Sequence, residues 1–174
     1  MRILVTGGVR SGKSRHAESL LSQAPSVTYV APGPSVDEDS DPDWVARIAA
    51  HRARRSATWT TVESRDLASA LRLDGPVLVD CLGTWLTGVL DSRGLWDASS
   101  DSVTSIVDAL LDEVIGVLSA RDDVVLVTNE VGLGVVPSHR SGRLFRDLLG
   151  LVNQRLATTC DEVHLVVAGR VLRL

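Results

Sequence analysis

Short runs of β-branched and aliphatic residues recur along the chain as Ile3-Leu4-Val5, Val27-Thr28-Tyr29-Val30, Val77-Leu78-Val79, Val124-Val125-Leu126-Val127 and Val163-His164-Leu165-Val166-Val167, with Gly, Pro or Asp at their borders. Continuous apolar strands of this kind belong to a sheet covered on both faces. Between them the period lengthens to that of a helix over Gly12 to Ser22, Asp43 to Arg55, Ser64 to Leu71, Ser102 to Ala120 and Arg140 to Thr158. Strand and helix alternate, which predicts an α/β fold with a mostly parallel sheet, right-handed crossovers and helices on both faces. Ala31 to Pro42 interrupts the pattern with three prolines, a glycine and a run of acids. It reads as a loop over a site or a surface excursion, too short to link two domains.

Composition narrows this picture. A chain of 174 residues with 44% hydrophobic content suits one domain over residues 1–174. The net charge of -4 argues against a nucleic-acid binder, whose affinity comes from cationic contacts to phosphates. Cys81 and Cys160 have neither metal-ligand spacing nor the density of a disulfide scaffold, so both are expected to be reduced thiols in a cytoplasmic protein. The first strand begins at once, leaving no room for a leader, and no apolar run reaches the length of a membrane span.

The first strand runs straight into Gly7-Gly8-Val9-Arg10-Ser11-Gly12-Lys13-Ser14, which satisfies G-x-x-x-x-G-K-[ST] and opens a helix-compatible run. Glycines let successive N–H groups converge on phosphate oxygens, and the following helix adds the positive end of its dipole. Lys13 is expected on the β and γ phosphates, with the Ser14 hydroxyl on Mg²⁺. Asp80 ends the strand Gly75 to Val79, where a carboxylate orients Mg²⁺ or its water shell; a strand-terminal Asp is also an ordinary cap. Thr128-Asn129-Glu130 ends another strand at the same expected edge, as ligand group or as cap.

On the helix Asp43 to Arg55, the residues Trp44, Val45, Ile48, Ala49 and Ala53 can cover one side and leave His51 on another. Arg47, Arg54 and Arg55 lie three or four residues from His51, so a helix gathers three guanidinium groups around one imidazole. Such a cluster suits a bound anion such as a nucleotide phosphate, and it disfavours the imidazolium. A neutral imidazole beside phosphates is a candidate nucleophile at phosphorus. The same spacing also describes a solvated basic face with an incidental histidine. No pair among His16, His139 and His164 has zinc-site spacing.

Taken together, the segments Ile3 to Glu18, Arg47 to Arg55 with Trp59 and Glu63, Val79 to Thr87, Val127 to Pro137, Arg143 to Gly150, Val152 to Ala157 and Asp161-Glu162-Val163 resemble the bifunctional adenosylcobinamide kinase / adenosylcobinamide-phosphate guanylyltransferase family. The resemblance covers nearly the whole chain and implies a single P-loop, RecA-like domain. It implies that ATP or GTP phosphorylates the aminopropanol hydroxyl of adenosylcobinamide. The histidine matching His51 then takes GMP from GTP and passes it to adenosylcobinamide phosphate. Arg52, Ala53, Arg54, Arg55 and Glu63 become nucleotide contacts, with Glu63 at the guanine edge, and Ala31, Pro32 and Gly33 become a further contact after the second strand. Lys13, with Gly7, Gly8, Val9, Arg10, Ser11, Gly12 and Ser14, holds the phosphates; family members are typically homotrimers. Ser56 where a proline is common, a long acidic 31–42 loop and the tail Arg170 to Leu174 depart from the pattern. A plain P-loop kinase without guanylyl transfer is the competing reading.

Overall fold

A computed structural model describes the chain from Met1 to Leu174. Its elements are β1 (Arg2–Thr6), α1 (Lys13–Leu20), β2 (Thr28–Ala31), α2 (Pro42–Arg54), β3 (Thr60–Glu63), α3 (Leu67–Leu71), β4 (Val77–Asp80), α4 (Leu82–Ser92), α5 (Ser100–Ser119), β5 (Val124–Val127), α6 (Arg140–Ala157), β6 (Glu162–Val167) and β7 (Arg170–Arg173). The strands form one sheet in the order β3-β2-β4-β5-β1-β6-β7. All pairs are parallel except β6 with β7, so the mostly parallel α/β architecture is present. The carboxyl ends of β1 to β5 therefore share one edge, where ligands of open parallel sheets collect.

Side chains alternate across the sheet and build two cores. Ile3, Val5, Leu78, Val125 and Val127 pack with Ala17 and Leu21 from the α1 side. Leu4, Val77, Val79, Val124 and Leu126 face the other way, against Leu71, Leu86, Leu111 and Leu148 of α3, α4, α5 and α6. The second core holds 26 buried residues and the first 11, so four helices seal one face while α1 covers the centre of the other. Helix α2 has no buried residue at all and is free to border a cavity.

Several elements differ from the sequence expectation. Helix α2 starts at Pro42 because the Asp41 carboxylate accepts from the N–H groups of Asp43 and Trp44, with proline in the first turn. The expected helix from Ser64 starts only at Leu67, since β3 runs to Glu63 and Asp66 caps the helix through Ser69 N–H. Strands β3 and β7 were not anticipated because both are edge strands with largely exposed side chains, which leaves no apolar run to read. Helix α4 buries six residues around much of its circumference and lacks a polar stripe. The 31–42 segment is a loop over the site: Trp44 Nε1 donates to Pro34 O at 3.1 Å, and Glu38 pairs with Arg65 at 2.9 Å. No helix is long and apolar enough to cross a membrane.

Candidate active site

The loop after β1 turns through left-handed backbone at Arg10 (φ +55°) and Gly12 (φ +98°). Gly12 caps α1 without a side-chain bond, so the first amides of the helix remain open to an anion. The loop is seated on β6 and the turn that follows it: Gly169 N–H of that turn donates to Ser11 O at 2.8 Å, and a methyl group on Gly7 would lie 2.4 Å from Val166 O. Lys13 is buried and donates from Nζ to Gly8 O at 3.1 Å. Burial lowers its pKa, helped by Arg47 and opposed by Cys81 and Asp80. The hydroxyls of Thr6 and Ser11 are buried without partners. Buried hydroxyls with hydrogen-bonding capacity to spare beside a phosphate loop suit a phosphate-bearing ligand.

Two cavities meet at α2. One, of about 1000 Å³, lies over the phosphate loop and includes Arg10, Lys13, Ser14 and Arg54. The other, of about 290 Å³, lies at the carboxyl ends of β2, β3 and β4 and includes Ala31, Arg52, Glu63 and Asp80. Trp44, Arg47 and His51 border both. The half-buried residues of α2 are Trp44, Ile48 and His51, and Arg55 continues the same face one turn later. Their i, i+4, i+7, i+11 spacing turns one stripe of the helix toward the strand ends.

The histidine environment differs from a simple ring of cations. His51 Nδ1 lies 3.7 Å from Asp80 Oδ2, with the two side chains only 18% and 8% exposed. Tyr29 donates its hydroxyl to the same oxygen at 3.1 Å. Burial and Asp80 raise the tyrosine pKa, so this hydroxyl keeps its proton. Arg54 is held by Glu18 through two bonds of 3.0 and 3.2 Å. Arg55 stacks 3.4 Å above the Tyr29 ring and donates to Thr61 and to His51 O. Burial is the main reason the His51 pKa falls below the ordinary value; Arg54 and Arg47 add to it and Asp80 opposes it. The imidazole is therefore neutral near pH 7, as expected, though Arg55 is not among the causes.

Most of the residues singled out from sequence come together here. Val9, Ala31, Gly33, Arg52, Arg55, Glu63 and Asp80 border the smaller cavity, and Arg10, Ser11, Gly12, Lys13, Ser14 and Arg54 the larger. Gly7, Gly8, Pro32 and Ala53 border neither. Arg52 and Glu63 are paired across the smaller cavity at 2.7 Å. Of the Thr128-Asn129-Glu130 group, only Asn129 reaches the cavity, and Glu130 closes a turn onto Gly132 N–H. Tyr29, Trp44, Thr84 and Phe145 were missed as cavity residues. Spacing alone sets Trp44 and Ile48 on a covered side away from His51, together with Val45, Ala49 and Ala53. The structure instead puts Trp44, Ile48 and His51 on one half-buried stripe and leaves Val45, Ala49 and Ala53 exposed, because the helix borders a cavity and not the core. The other three missed residues depend on strand and helix packing. His16 and His164 contact each other at 2.8 Å, with His164 also bonded to Glu162, well outside both cavities.

A phosphate loop behind the first strand of a parallel sheet, with its lysine buried beneath an open cavity, defines a P-loop nucleotide-binding protein. The chain belongs to the cobinamide kinase / cobinamide phosphate guanyltransferase family, whose model matches residues 3–174. It is 42% identical over 179 residues to the bifunctional adenosylcobalamin biosynthesis protein CobU of Salmonella typhimurium, covering 97% of each chain. The CobU protein of Escherichia coli is equally similar, at 42% over 97% of each. The corresponding CobP protein of Pseudomonas aeruginosa is 41% identical, over 97% of this chain and 94% of that one. Among solved structures, an ATPase of a bacterial type III secretion system superposes with a TM-score of 0.50 at 13% identity, over 94% of this chain and 50% of that one.

Proposed function

We propose that this chain, acting as one unit over residues 1–174, phosphorylates adenosylcobinamide with ATP or GTP and then transfers GMP from GTP through His51 to adenosylcobinamide phosphate, giving adenosylcobinamide-GDP. One observation carries this reading: His51 borders both cavities. A GTP molecule with its tail on the phosphate loop and its base among the strand ends has its α-phosphorus at the crossing between them. A neutral imidazole there is a nucleophile in reach of that phosphorus and not of the γ-phosphorus alone.

In the first reaction the loop amides and Lys13 hold and neutralise the triphosphate while the acceptor hydroxyl attacks the γ-phosphorus. In the second, Glu63 accepts from the N1–H and N2–H donors of guanine, which requires Arg52 to yield its present pairing. Arg47, exposed and without an ion pair, is available to the phosphates passing between the cavities. Mg²⁺ fits this donor set only as a companion of the nucleotide. The oxygens of Ser14 and Asp80 are hard donors that suit it, yet no group of three His, Cys, Asp or Glu residues could hold a metal alone. When bound, it neutralises charge on the β and γ phosphates.

We further propose a cytoplasmic homo-oligomer, a trimer by family resemblance. The loop after β5 exposes Leu133, Val135 and Val136, a patch suited to a subunit contact. Incubation with GTP, ATP, Mg²⁺ and adenosylcobinamide, followed by mass analysis, is expected to yield first the phosphate and then the GDP derivative. Accumulation of the phosphate alone would reduce the protein to a kinase.

A further inference from the structure

The carboxylate beside His51 has a consequence for which nitrogen reacts. We infer that Asp80, held in place by Tyr29, positions the His51 ring so that Nδ1 keeps its proton and Nε2 alone attacks the α-phosphorus. This rests on the histidine-nucleophile reading above and adds to it the attacking atom and two positioning residues.

Four observations converge. Asp80 Oδ2 lies 3.7 Å from Nδ1, too long for a hydrogen bond but within reach of a small side-chain rotation as a nucleotide fills the site. Asp80 is itself fixed by the Tyr29 hydroxyl at 3.1 Å, and Tyr29 is clamped from above by the Arg55 guanidinium. The other nearby carboxylate, Glu18, is occupied by two bonds to Arg54 and cannot compete for the imidazole. Neither ring nitrogen of His51 makes a hydrogen bond within the protein, and Nδ1 is the one that faces the carboxylate. A carboxylate on one ring nitrogen selects the tautomer that leaves the lone pair on the other.

The step balances without a proton transfer. The Nε2 lone pair forms the bond to the α-phosphorus, the bond from that phosphorus to the α,β-bridging oxygen breaks, and its electron pair leaves with pyrophosphate. The adduct is an imidazolium whose Nδ1–H faces Asp80, so the carboxylate stabilises the new positive charge. When a phosphate oxygen of the acceptor attacks, the P–N bond breaks and its electrons return to Nε2. The Nδ1 proton stays throughout, and the neutral ring is restored.

The test combines the tautomer with the position of the adduct. Nitrogen-15 NMR of the nucleotide-free, Mg²⁺-free protein, assigned by comparison with His51→Asn, reads which ring nitrogen carries the proton. Proton–nitrogen–phosphorus correlation in the GTP-treated, denatured protein reads which nitrogen carries GMP. The wild type is expected to show Nδ1–H and GMP on Nε2. Asp80→Asn is expected to lose the tautomer preference in the Mg²⁺-free protein, the readout that its role toward Mg²⁺ would not move, and an unchanged tautomer there would overturn the positioning role. Single-turnover guanylylation should slow at least about 100-fold in the same variant. Tyr29→Phe, which removes one hydroxyl from the network and nothing from the phosphates, is expected to slow it about three- to tenfold with the adduct still on Nε2; it also serves should Asp80→Asn fail to fold. GMP on Nδ1, a wild-type Nε2–H tautomer, or unchanged guanylylation in Tyr29→Phe would overturn the positioning role while leaving His51 as nucleophile. Absence of GMP from His51 altogether would overturn the proposed function, and this inference with it.

Discussion

The two adjacent glycines at the start of the phosphate loop are chemically alike and structurally opposite, so methylating each in turn probes the seat of the site. A Cβ on Gly7 would lie 2.4 Å from the backbone oxygen of Val166 and 2.7 Å from Ser11 Oγ. Carbon and oxygen in contact normally keep about 3.3 Å, so the loop and β6 must part by about 0.9 Å. Strand β6 cannot yield cheaply, since it pairs with β1 on one side and β7 on the other. Overpacking of this kind costs about 1–3 kcal/mol, which for a chain of this size lowers Tm by roughly 2–12 °C. The same displacement moves the loop amides off the phosphates and is expected to weaken nucleotide binding by at least about tenfold. A Cβ on Gly8 meets nothing within 4 Å. Gly8→Ala is therefore expected to change stability by less than about 0.5 kcal/mol. Thermal unfolding and nucleotide titration of both variants decide the matter. Equal stability and equal affinity in the two would refute the seating of the loop on β6.

Other consequences can be measured in parallel. Lys13→Ala is expected to lower turnover in both reactions by about 100-fold or more, because each attack needs the triphosphate charge neutralised; wild-type kinase rates would remove the phosphate-loop assignment. Arg55→Lys keeps the charge but loses the planar stack over Tyr29 and the bonds to Thr61 and His51 O, and about 0.5–2 kcal/mol of stability should go with them, read by urea unfolding. Burial pushes the Cys160 thiol up to about 12 and raises Cys81 as well, so both stay protonated at pH 8. Iodoacetamide at that pH should leave both largely unmodified in the folded protein and label both in denaturant; rapid native labelling of the half-buried Cys160 would contradict its raised pKa.

How much of this was readable in the sequence depends on where each signal lies. The five central strands declare themselves because strands covered on both faces must be apolar throughout, as Val77 to Val79 and Val124 to Val127 are. Strands β3 and β7 sit at the sheet edges and carry exposed residues such as Thr60 and Arg170, so no hydrophobic run marks them. The phosphate loop is local in sequence and was placed from the first strand onward. The basic helix was also visible, but its partners were not. Asp80 reaches His51 from 29 residues away and Tyr29 reaches Asp80 across 51. Only the order β2 beside β4 brings those two together. Spacing alone assigned three guanidinium groups to the imidazole, whereas Glu18 and the Tyr29 ring take up two of them. Tertiary competition for a cation cannot be read from helical periodicity.

The central claim is that one scaffold performs two transfers and only the second passes through His51. It is tested most directly by comparing wild type with His51→Ala for kinase turnover and for covalent retention of α-labelled GTP. The wild type should retain one GMP on His51 through a P–N bond that is labile in acid and stable in alkali, since protonation makes imidazole a good leaving group. His51→Ala should lose that label and all adenosylcobinamide-GDP formation, while still phosphorylating adenosylcobinamide at a measurable rate. Normal guanylyl transfer by the alanine variant, or a label on any other residue, would contradict the account.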